Sequence, residues 1–347
     1  MTGEPIEWNA NAPARRAGRR LAAWGLALMW VTASSGSAWA ASKPPPDAGH
    51  GAVTGAQRAR PDGGPPARDG SDVGSSAPTD AGTALRFGVI GDFGSGDSHE
   101  SDVARLVKGW TPDFIVTTGD NNYPNGSAAT IDDHIGKDYS DYIGDYRGKY
   151  GKGSATRRFW PVPGNHDWRT DQLRPYLDYF QLPGNGRYYE TDLGLVHLFM
   201  LDFDREEPDG NTADSKQARW LKERLAASKS CFNVVVGHQA PYSSGARHGS
   251  DPKLQWPFRE WGADVVFSGH EHLYERLDVG GLPFIVDGIG GAERYEFVKP
   301  LPESKVRYRD DWGAVRVSAT GAGITYEFFT VKGERIDQLA VAKRCVH

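Results

Sequence analysis

The chain has 347 residues, of which 38% are hydrophobic, and a formal net charge of −5 at pH 7. This length is enough for one large or two medium domains with a buried core. The slightly acidic balance gives no reason to expect nucleic acid as a partner, because a duplex-binding protein needs a clustered excess of lysine and arginine.

The first 40 residues have the pattern of a signal peptide. Four arginines near the start form a basic region, and residues 21–33 form an apolar stretch that is too short to span a bilayer. Ala38 and Ala40 give the small-x-small pattern of a cleavage site, so we expect the mature chain to begin at Ala41. An uncleaved membrane anchor is the alternative. The chain is therefore predicted to be exported, to the periplasm or the extracellular space, with no stable membrane span after cleavage.

Residues 41–83 consist mainly of Pro, Gly, Ala, Ser and Asp and contain almost no large apolar side chains. Such a segment cannot bury enough apolar surface to offset the entropy of ordering it, so we expect a disordered linker. Strand and helix patterns then alternate to the end, which predicts one folded domain over residues 84–347. Cys231 and Cys345 could pair in an oxidising compartment, and the sequence leaves both a disulfide and two free thiols open.

Short apolar runs and helical spacings predict the elements of this domain. Two stretches, 101–109 and 215–228, have the apolar spacing of helices. Because strands and helices alternate, the pattern favours an α/β sheet, whereas residues 314–341 are predicted to form consecutive antiparallel strands. The other predicted strands are 85–90, 114–118, 196–201, 234–236, 265–267 and 284–286, and a further segment, 158–163, ends in the same way as the strands.

Polar side chains stand where five of the predicted segments end, and a glycine precedes each of them. An open α/β sheet places its ligands beyond the carboxyl ends of its strands, so these side chains are expected to converge on one site. One Gly-Asp pair is most often a turn, but five such ends in one chain are best explained by a metal site. The residues are Asp92 after Gly91, Asp120 after Gly119, Asn165 and His166 after Gly164, His238 after Gly237, and His270 and His272 after Gly269.

The order of these residues resembles the motif series of the calcineurin-like metallophosphoesterase superfamily. Tyr123, three residues after Asp120, and Gly94, where other branches have histidine, are similar to the purple acid phosphatase branch, in particular to its small, animal-type members. The resemblance covers about residues 85–289. It implies an α/β fold, the α/β/β/α sandwich with two mixed β-sheets, and a site at the carboxyl ends of the strands in a catalytic domain over residues 84–347.

The resemblance also implies two metal ions. Carboxylate, phenolate and imidazole donors suit iron, manganese or zinc. A phenol with a pKa near ~10 loses its proton readily only on a strongly Lewis-acidic ion, which favours Fe(III) beside Tyr123 and a divalent ion (Fe, Zn or Mn) at the second position. The expected ligands of the first ion are Asp92, Tyr123 and His272, those of the second are Asn165, His238 and His270, and Asp120 bridges the two.

The reaction that the resemblance implies is hydrolysis of a small phosphate monoester. The two ions hold the phosphoryl group and activate a water molecule that attacks phosphorus. His166, oriented by Asp167, is expected to protonate the leaving oxygen. His248 is expected instead to hold the phosphate. Nearby aromatic and cationic residues are candidates for the pocket lining, namely Trp168, Tyr242, Arg247 and Trp261.

Two other functions remain open from the sequence. The same scaffold could hold Mn or Zn in a phosphodiesterase or nucleotidase, which Tyr123 disfavours. It could also serve as a non-catalytic surface protein displayed on residues 41–83, which the ligand set and His166 disfavour. Residues 204–215 resemble the exposed loop of the small, animal-type enzymes, with a solvated connector as the alternative.

Overall fold

A computed structural model describes residues 84–343 of the chain. The predicted signal peptide, the predicted linker and Cys345 lie outside the described residues. Cys231 is disulfide-bonded. None of the helices in residues 84–343 is long and apolar enough to cross a membrane.

The described residues form thirteen strands and six α-helices, with short 3-10 or π turns between them. The strands are β1 (Leu85–Ile90), β2 (Phe114–Thr117), β3 (Phe159–Pro161), β4 (Tyr189–Asp192), β5 (Val196–Met200), β6 (Phe232–Val236), β7 (Val265–Ser268), β8 (Tyr274–Val279), β9 (Leu282–Asp287), β10 (Ser304–Tyr308), β11 (Gly313–Thr320), β12 (Gly323–Thr330) and β13 (Arg335–Ala342). The helices are α1 (Ser98–Gly109), α2 (Lys137–Tyr139), α3 (Asn165–Trp168), α4 (Arg174–Tyr179), α5 (Lys216–Ala227) and α6 (Phe258–Trp261).

The strands form two mixed sheets, as the resemblance implies. The first sheet has the order β13-β12-β11-β1-β2-β3, in which β1, β2 and β3 are parallel and β11 to β13 are antiparallel. The second has the order β10-β8-β9-β7-β6-β5-β4, in which β5, β6, β7 and β9 are parallel. Consecutive antiparallel strands at the C-terminal end were predicted, and β11 to β13 confirm them.

Apolar clusters lie on both faces of the central strands. One strand contributes to two clusters, because its successive side chains point to opposite faces. Val234 and Val236 of β6 belong to the apolar cluster between the two sheets, together with Phe87 of β1. Val235 points the other way, into the cluster that contains Leu221 of α5. A third cluster covers the outer face of the first sheet with residues of α1, α2 and α4. This is the α/β/β/α sandwich, with strands buried on both faces.

Of the two predicted helices, one differs from the observed helix at its start. α1 begins at Ser98, three residues before the predicted start, because the Asp97 carboxylate accepts hydrogen bonds from the N–H groups of His99 and Glu100 and caps the helix. α5 agrees with its prediction, since the Ser215 hydroxyl accepts the N–H of Ala218. Strands β4, β8 and β10 were not predicted. Their half-exposed, charged sequences lack the continuous apolar runs of the central strands.

Candidate metal centre

The site lies where parallel strands of both sheets end. β1, β2 and β3 of the first sheet lead to Asp92, Asp120 and Asn165, and β6 and β7 of the second lead to His238 and His270. The structure brings all seven predicted metal ligands together, and contacts between side chains from the two sheets link them into one group.

The first group of donors surrounds the Tyr123 hydroxyl. This hydroxyl donates to Oδ1 of Asp92 at 3.1 Å and lies 3.0 Å from Nε2 of His272. Nε2 of His272 is 3.2 Å from the same Asp92 oxygen. Three donors from three different segments therefore point at one position, and these are the three residues expected to hold the first ion.

The second group of donors surrounds Nε2 of His238. This atom lies 3.1 Å from Oδ1 of Asn165 and 3.2 Å from Nδ1 of His270. Oδ2 of Asp120 is 3.4 Å away. One ligand atom from each of Asp92, Asp120 and His272 also lies within 4.8 Å of the others, so Asp120 stands between the two groups.

Backbone carbonyls fix which ring nitrogen faces the site. Nδ1 of His238 donates to the carbonyl of Thr118 at 2.8 Å, and Nδ1 of His272 donates to the carbonyl of Glu293 at 2.6 Å. Because a carbonyl only accepts, each ring holds its proton on Nδ1 and leaves Nε2 free to bind a cation.

The backbone is strained at the same positions. Asp92, Asp120 and His270 have φ values of 52°, 51° and 69°, in the left-handed region that residues with a Cβ seldom adopt. Gly119, immediately before Asp120, has a φ of +96°, and a Cβ there would lie 2.6 Å from Nδ1 of His238. Strained backbone of this kind persists where surrounding structure enforces it, and it concentrates at functional sites.

The buried carboxylates of the site favour the binding of cations. Asp92 and Asp120 are buried. Burial alone lowers the pKa of His238, but the two carboxylates outweigh it and raise that pKa to about 10. Burial, Asp120 and Asp92 also raise the pKa of Tyr123 well above its usual value. Buried carboxylates with imidazoles and a phenol are oxygen and nitrogen donors suited to iron, zinc or manganese, so the residues present fit two metal ions.

The predicted catalytic residues have different surroundings. His166 lies beside the site, with Nε2 3.9 Å from Oδ2 of Asp120, and its Nδ1 donates to the carbonyl of Pro124 at 2.7 Å. Asp167, predicted to steer His166, instead accepts hydrogen bonds from the N–H groups of Gly164 and Asn121 and from the Asn121 amide, at 2.9–3.1 Å. The group that orients the His166 ring is therefore the carbonyl of Pro124. The buried Asp167 carboxylate instead holds the turn that carries Asn165.

His248 lies at the rim of the site, where its ring stacks on that of His270 with centroids 3.9 Å apart. The buried carboxylate of Glu271 accepts the backbone N–H groups of His248 and Gly249 and so holds this loop against the site. Glu271 is the middle residue of the His-x-His motif, and its position there is the signal that could have identified it.

Sequence reasoning also missed Tyr295. Its ring stacks on His272 with centroids 4.0 Å apart and an interplanar angle of 12°, and the Arg247 guanidinium lies 5.1 Å from the ring centre. Tyr295 follows no predicted strand and belongs to no motif, so nothing in the sequence distinguished it.

A cleft of about 600 Å³ opens beside the site and is lined in part by Asn165, His270 and Trp168. Arg247 lines a neighbouring cleft with His248. Of the other predicted lining residues, Tyr242 and Trp261 pack against the apolar cluster beneath α5 and α6. These two candidates for the pocket lining therefore do not line either cleft, since nearness to a motif in sequence does not specify the face of the sheet.

Comparison with known proteins identifies relatives of the whole domain. Residues 85–274 match the family described as calcineurin-like phosphoesterase. Purple acid phosphatase 17 of Arabidopsis thaliana is 28% identical over 301 residues, which covers 76% of this chain and 86% of that protein. Tartrate-resistant acid phosphatase type 5 of Homo sapiens is 26% identical over 294 residues, covering 70% of this chain and 87% of that protein.

Solved structures show the same fold. A purple acid phosphatase from yellow lupin seeds matches with a TM-score of 0.61 at 17% identity, covering 76% of this chain and 54% of that chain. GAP50, described as the anchor in the inner membrane complex of Plasmodium, matches with a TM-score of 0.60 at 20% identity, covering 75% of this chain and 89% of that chain. At these identities the likeness establishes the fold alone.

Proposed function

Because the chain belongs to the calcineurin-like phosphoesterase family, we propose that it is an exported phosphatase that hydrolyses phosphate monoesters at a centre of two metal ions. Its sequence relatives among the purple acid phosphatases support this activity. The observation that carries the proposal is the Tyr123 hydroxyl, which lies within 3.1 Å of both Asp92 and His272. A phenol at this point would be a metal ligand of the kind that the resemblance to the purple acid phosphatases implies.

The proposed metals are Fe(III) next to Tyr123 and a divalent ion next to His238. The phenol of Tyr123 has a raised pKa because it is buried beside Asp120 and Asp92. Only a strongly Lewis-acidic ion would overcome that shift and bind the phenolate. Asp92, Asp120 and the phenolate would bring three negative charges against about five positive ones, and the remaining charge of about +2 would attract a phosphate dianion.

The two ions would supply the Lewis acidity that activates the attacking water and neutralises charge on the phosphoryl oxygens. His166 is proposed to give a proton to the leaving oxygen. The carbonyl of Pro124 holds its Nδ1 proton, so Nε2 is the nitrogen that faces the reacting group. The proton that Nε2 gives is therefore the second proton of the imidazolium form, and the ring becomes neutral when the leaving oxygen is protonated. General acid catalysis of this kind is typically worth 10²–10⁴-fold in rate. His248, stacked on His270 at the rim, is proposed to bind the phosphate.

Export is proposed from the signal-peptide pattern of the first 40 residues. The disulfide bond of Cys231 supports it, because disulfides persist mainly in oxidising compartments. The fold alone does not separate an enzyme from an anchoring protein, since the Plasmodium anchor shares it. The convergent donors and the position of His166 Nε2, 3.9 Å from Oδ2 of Asp120, favour the enzyme.

The test is one purified sample on which the visible spectrum, the metal content and the hydrolysis of 4-nitrophenyl phosphate are all measured. We expect a purple or pink absorption band, iron in the protein and activity, and we expect Tyr123→Phe to lose the band. Tyr308→Phe is the control, because Tyr308 packs against Phe328 away from the site. A colourless, active protein with manganese or zinc would overturn the iron assignment, and an inactive protein with both sites filled would overturn the phosphatase.

A further inference from the structure

We propose that Trp168 is a stacking platform for the leaving group, and that the site prefers phosphate monoesters whose alcohol carries a planar aromatic ring. This inference rests on the proposed phosphatase function and adds a substrate class to it. It also assigns a role to the 600 Å³ cleft beside the metal centre.

The position of Trp168 follows from the helix that carries it. α3 is only four residues long, and it presents Asn165, His166 and Trp168 in succession. Asn165 and His270, both predicted metal ligands, line the cleft together with Trp168. An alcohol that departs from phosphorus at the metal centre, protonated by His166, would therefore enter the cleft beside the indole.

The indole is held in a fixed orientation. Its Nε1–H donates to both carboxylate oxygens of Asp202, at 3.1 and 3.3 Å. Asp202 is itself buried, accepts the N–H of Asp204 at 3.0 Å and donates its own N–H to Gln217 at 2.8 Å. A ring fixed in this way loses little conformational freedom when a second ring stacks on it, so stacking there contributes more fully to binding.

Part of the indole is available to a ligand. Trp168 packs against the apolar cluster of the first sheet on one side, is only partly buried and also lines the cleft. Within residues 84–343, no aromatic ring or cationic side chain stacks on it, whereas Trp312 is covered by His99 and Arg294. The part of the Trp168 indole that lines the cleft therefore carries no stacked ring or cation from the described residues on the side where the leaving group would lie.

The charges of the cleft favour a leaving group without further phosphates. Three cationic side chains line it, Arg169, Arg205 and Lys253. Three carboxylates line it as well, Asp204, Glu206 and Asp251. Because these charges balance, the cleft offers no excess positive charge for a polyphosphate. An aryl phosphate or a nucleoside monophosphate combines a single phosphate with a neutral aromatic group, and this is the class that the cleft fits.

The test compares kcat/KM for phenyl phosphate, adenosine 5′-monophosphate and glycerol 2-phosphate in the metal-loaded enzyme. One stacked ring is worth about tenfold or more in binding. We therefore expect Trp168→Leu to lower kcat/KM for at least one aromatic substrate by about tenfold relative to glycerol 2-phosphate, and Trp168→Phe to retain most of the selectivity. Trp220→Leu is the control, since Trp220 packs beside Tyr188 outside the cleft.

Each outcome decides the inference. A selective loss for phenyl phosphate assigns the platform to rings bonded directly to the phosphate oxygen, and a selective loss for adenosine monophosphate assigns it to a base beyond a sugar; either result supports the proposal. Equal losses for all three substrates would overturn the platform and leave the phosphatase intact. A wild-type protein that hydrolyses none of them with both ions bound would overturn both proposals.

A second measurement needs no variant and decides the question if Trp168→Leu does not fold. Inhibition by phenylphosphonate and by methylphosphonate is compared in the wild-type enzyme. We expect phenylphosphonate to bind about tenfold more tightly. Equal inhibition constants would overturn the platform.

Discussion

Nε2 of His238 lies 3.2 Å from Nδ1 of His270 and 3.4 Å from Oδ2 of Asp120. His238 and Asp120 are buried, so little water screens these atoms. Electron-pair donors this close repel one another unless a proton or a cation lies among them. Without metal, a proton on Nε2 of His238 fills this place, since the two carboxylates raise the pKa of His238 to about 10. A metal ion that displaces the proton binds several of these donors at once, so metal binding and folding are expected to be linked.

The first prediction is that removal of metal lowers the melting temperature. A metal at one hundred times its Kd stabilises the folded protein by about 2.7 kcal/mol. We expect chelation to lower Tm in calorimetry and added iron, zinc or manganese to restore it. His238→Ala should lose most of this shift. His197→Ala is the matched control, because His197 is a buried histidine that hydrogen-bonds to Ser228 away from the site. An unchanged Tm after complete removal of metal would contradict the linkage.

The second prediction concerns Gly119, where Ala would require a left-handed φ and would press its methyl group against His238. We expect Gly119→Ala to lose the second metal ion and most activity. Gly333→Ala is the control for backbone strain alone, since Gly333 has a φ of +81° and a Cβ there would meet nothing within 4 Å. Both variants should lose about 1–2 kcal/mol of stability from the strained φ. Normal metal content in Gly119→Ala, measured by elemental analysis, would show that the contact with His238 is unimportant.

The sequence predicted the central strands, and it predicted which residues the structure brings together as candidate ligands, because both are marked by local pattern. β1 and β6 are mainly apolar, with Arg86 and Asn233 as the exceptions, and a glycine followed by a polar residue ends each of them. The ligands were also tied to an ordered motif series, so His272 and Tyr123 were found although neither directly follows a strand. The resemblance, rather than hydrophobic pattern, supplied the pairing of two sheets.

The rest depended on tertiary contacts that no local pattern records. Tyr295 reaches His272 only because the segment after β9 returns to the site, where the N–H of Ala292 donates to the carbonyl of Asp92 and the N–H of Tyr295 donates to that of His272. Asp167 stands next to His166 in sequence, but a side chain on the following helical position points elsewhere, toward Asn121. Adjacent residues on a helix do not face each other, which is why adjacency misassigned the partner of His166.

The third prediction separates the two roles considered for Asp167. Burial, reinforced by the charge of Asp120, raises the pKa of Asp167 to about 7, and its Oδ2 accepts three hydrogen bonds. We expect Asp167→Asn to keep these bonds through its amide oxygen and to leave the shape of the kcat pH profile unchanged. Asp167→Ala should lose about 2–4 kcal/mol of stability, at about 1 kcal/mol for each bond. A shifted kcat pH profile in folded Asp167→Asn would show that Asp167 does orient His166.

The fourth prediction concerns Glu100 of α1, which is buried behind the loop that carries Asp92. Its Oε2 accepts the N–H of Gly96 at 2.7 Å, and within the described part of the chain Oε1 has no hydrogen-bond partner. Burial raises the pKa of Glu100 well above its usual value. A carboxyl with a raised folded-state pKa contributes stability below its unfolded pKa, and that stability is lost as pH rises toward the folded pKa.

Glu100→Gln removes this pH dependence, because the amide has the shape of the protonated carboxyl and keeps the bond to Gly96. We expect the variant to match the wild type at pH 4 and to be more stable at pH 7, because each pH unit between the unfolded and the folded pKa of the wild-type carboxyl costs about 1.4 kcal/mol. Urea unfolding of chelated samples at pH 4, 5.5 and 7 measures the difference. Glu223→Gln, at an exposed position of α5, should show no difference at any pH. A variant less stable than the wild type at pH 7 would mean that Glu100 is ionised in the folded protein and that its charge is balanced by a cation.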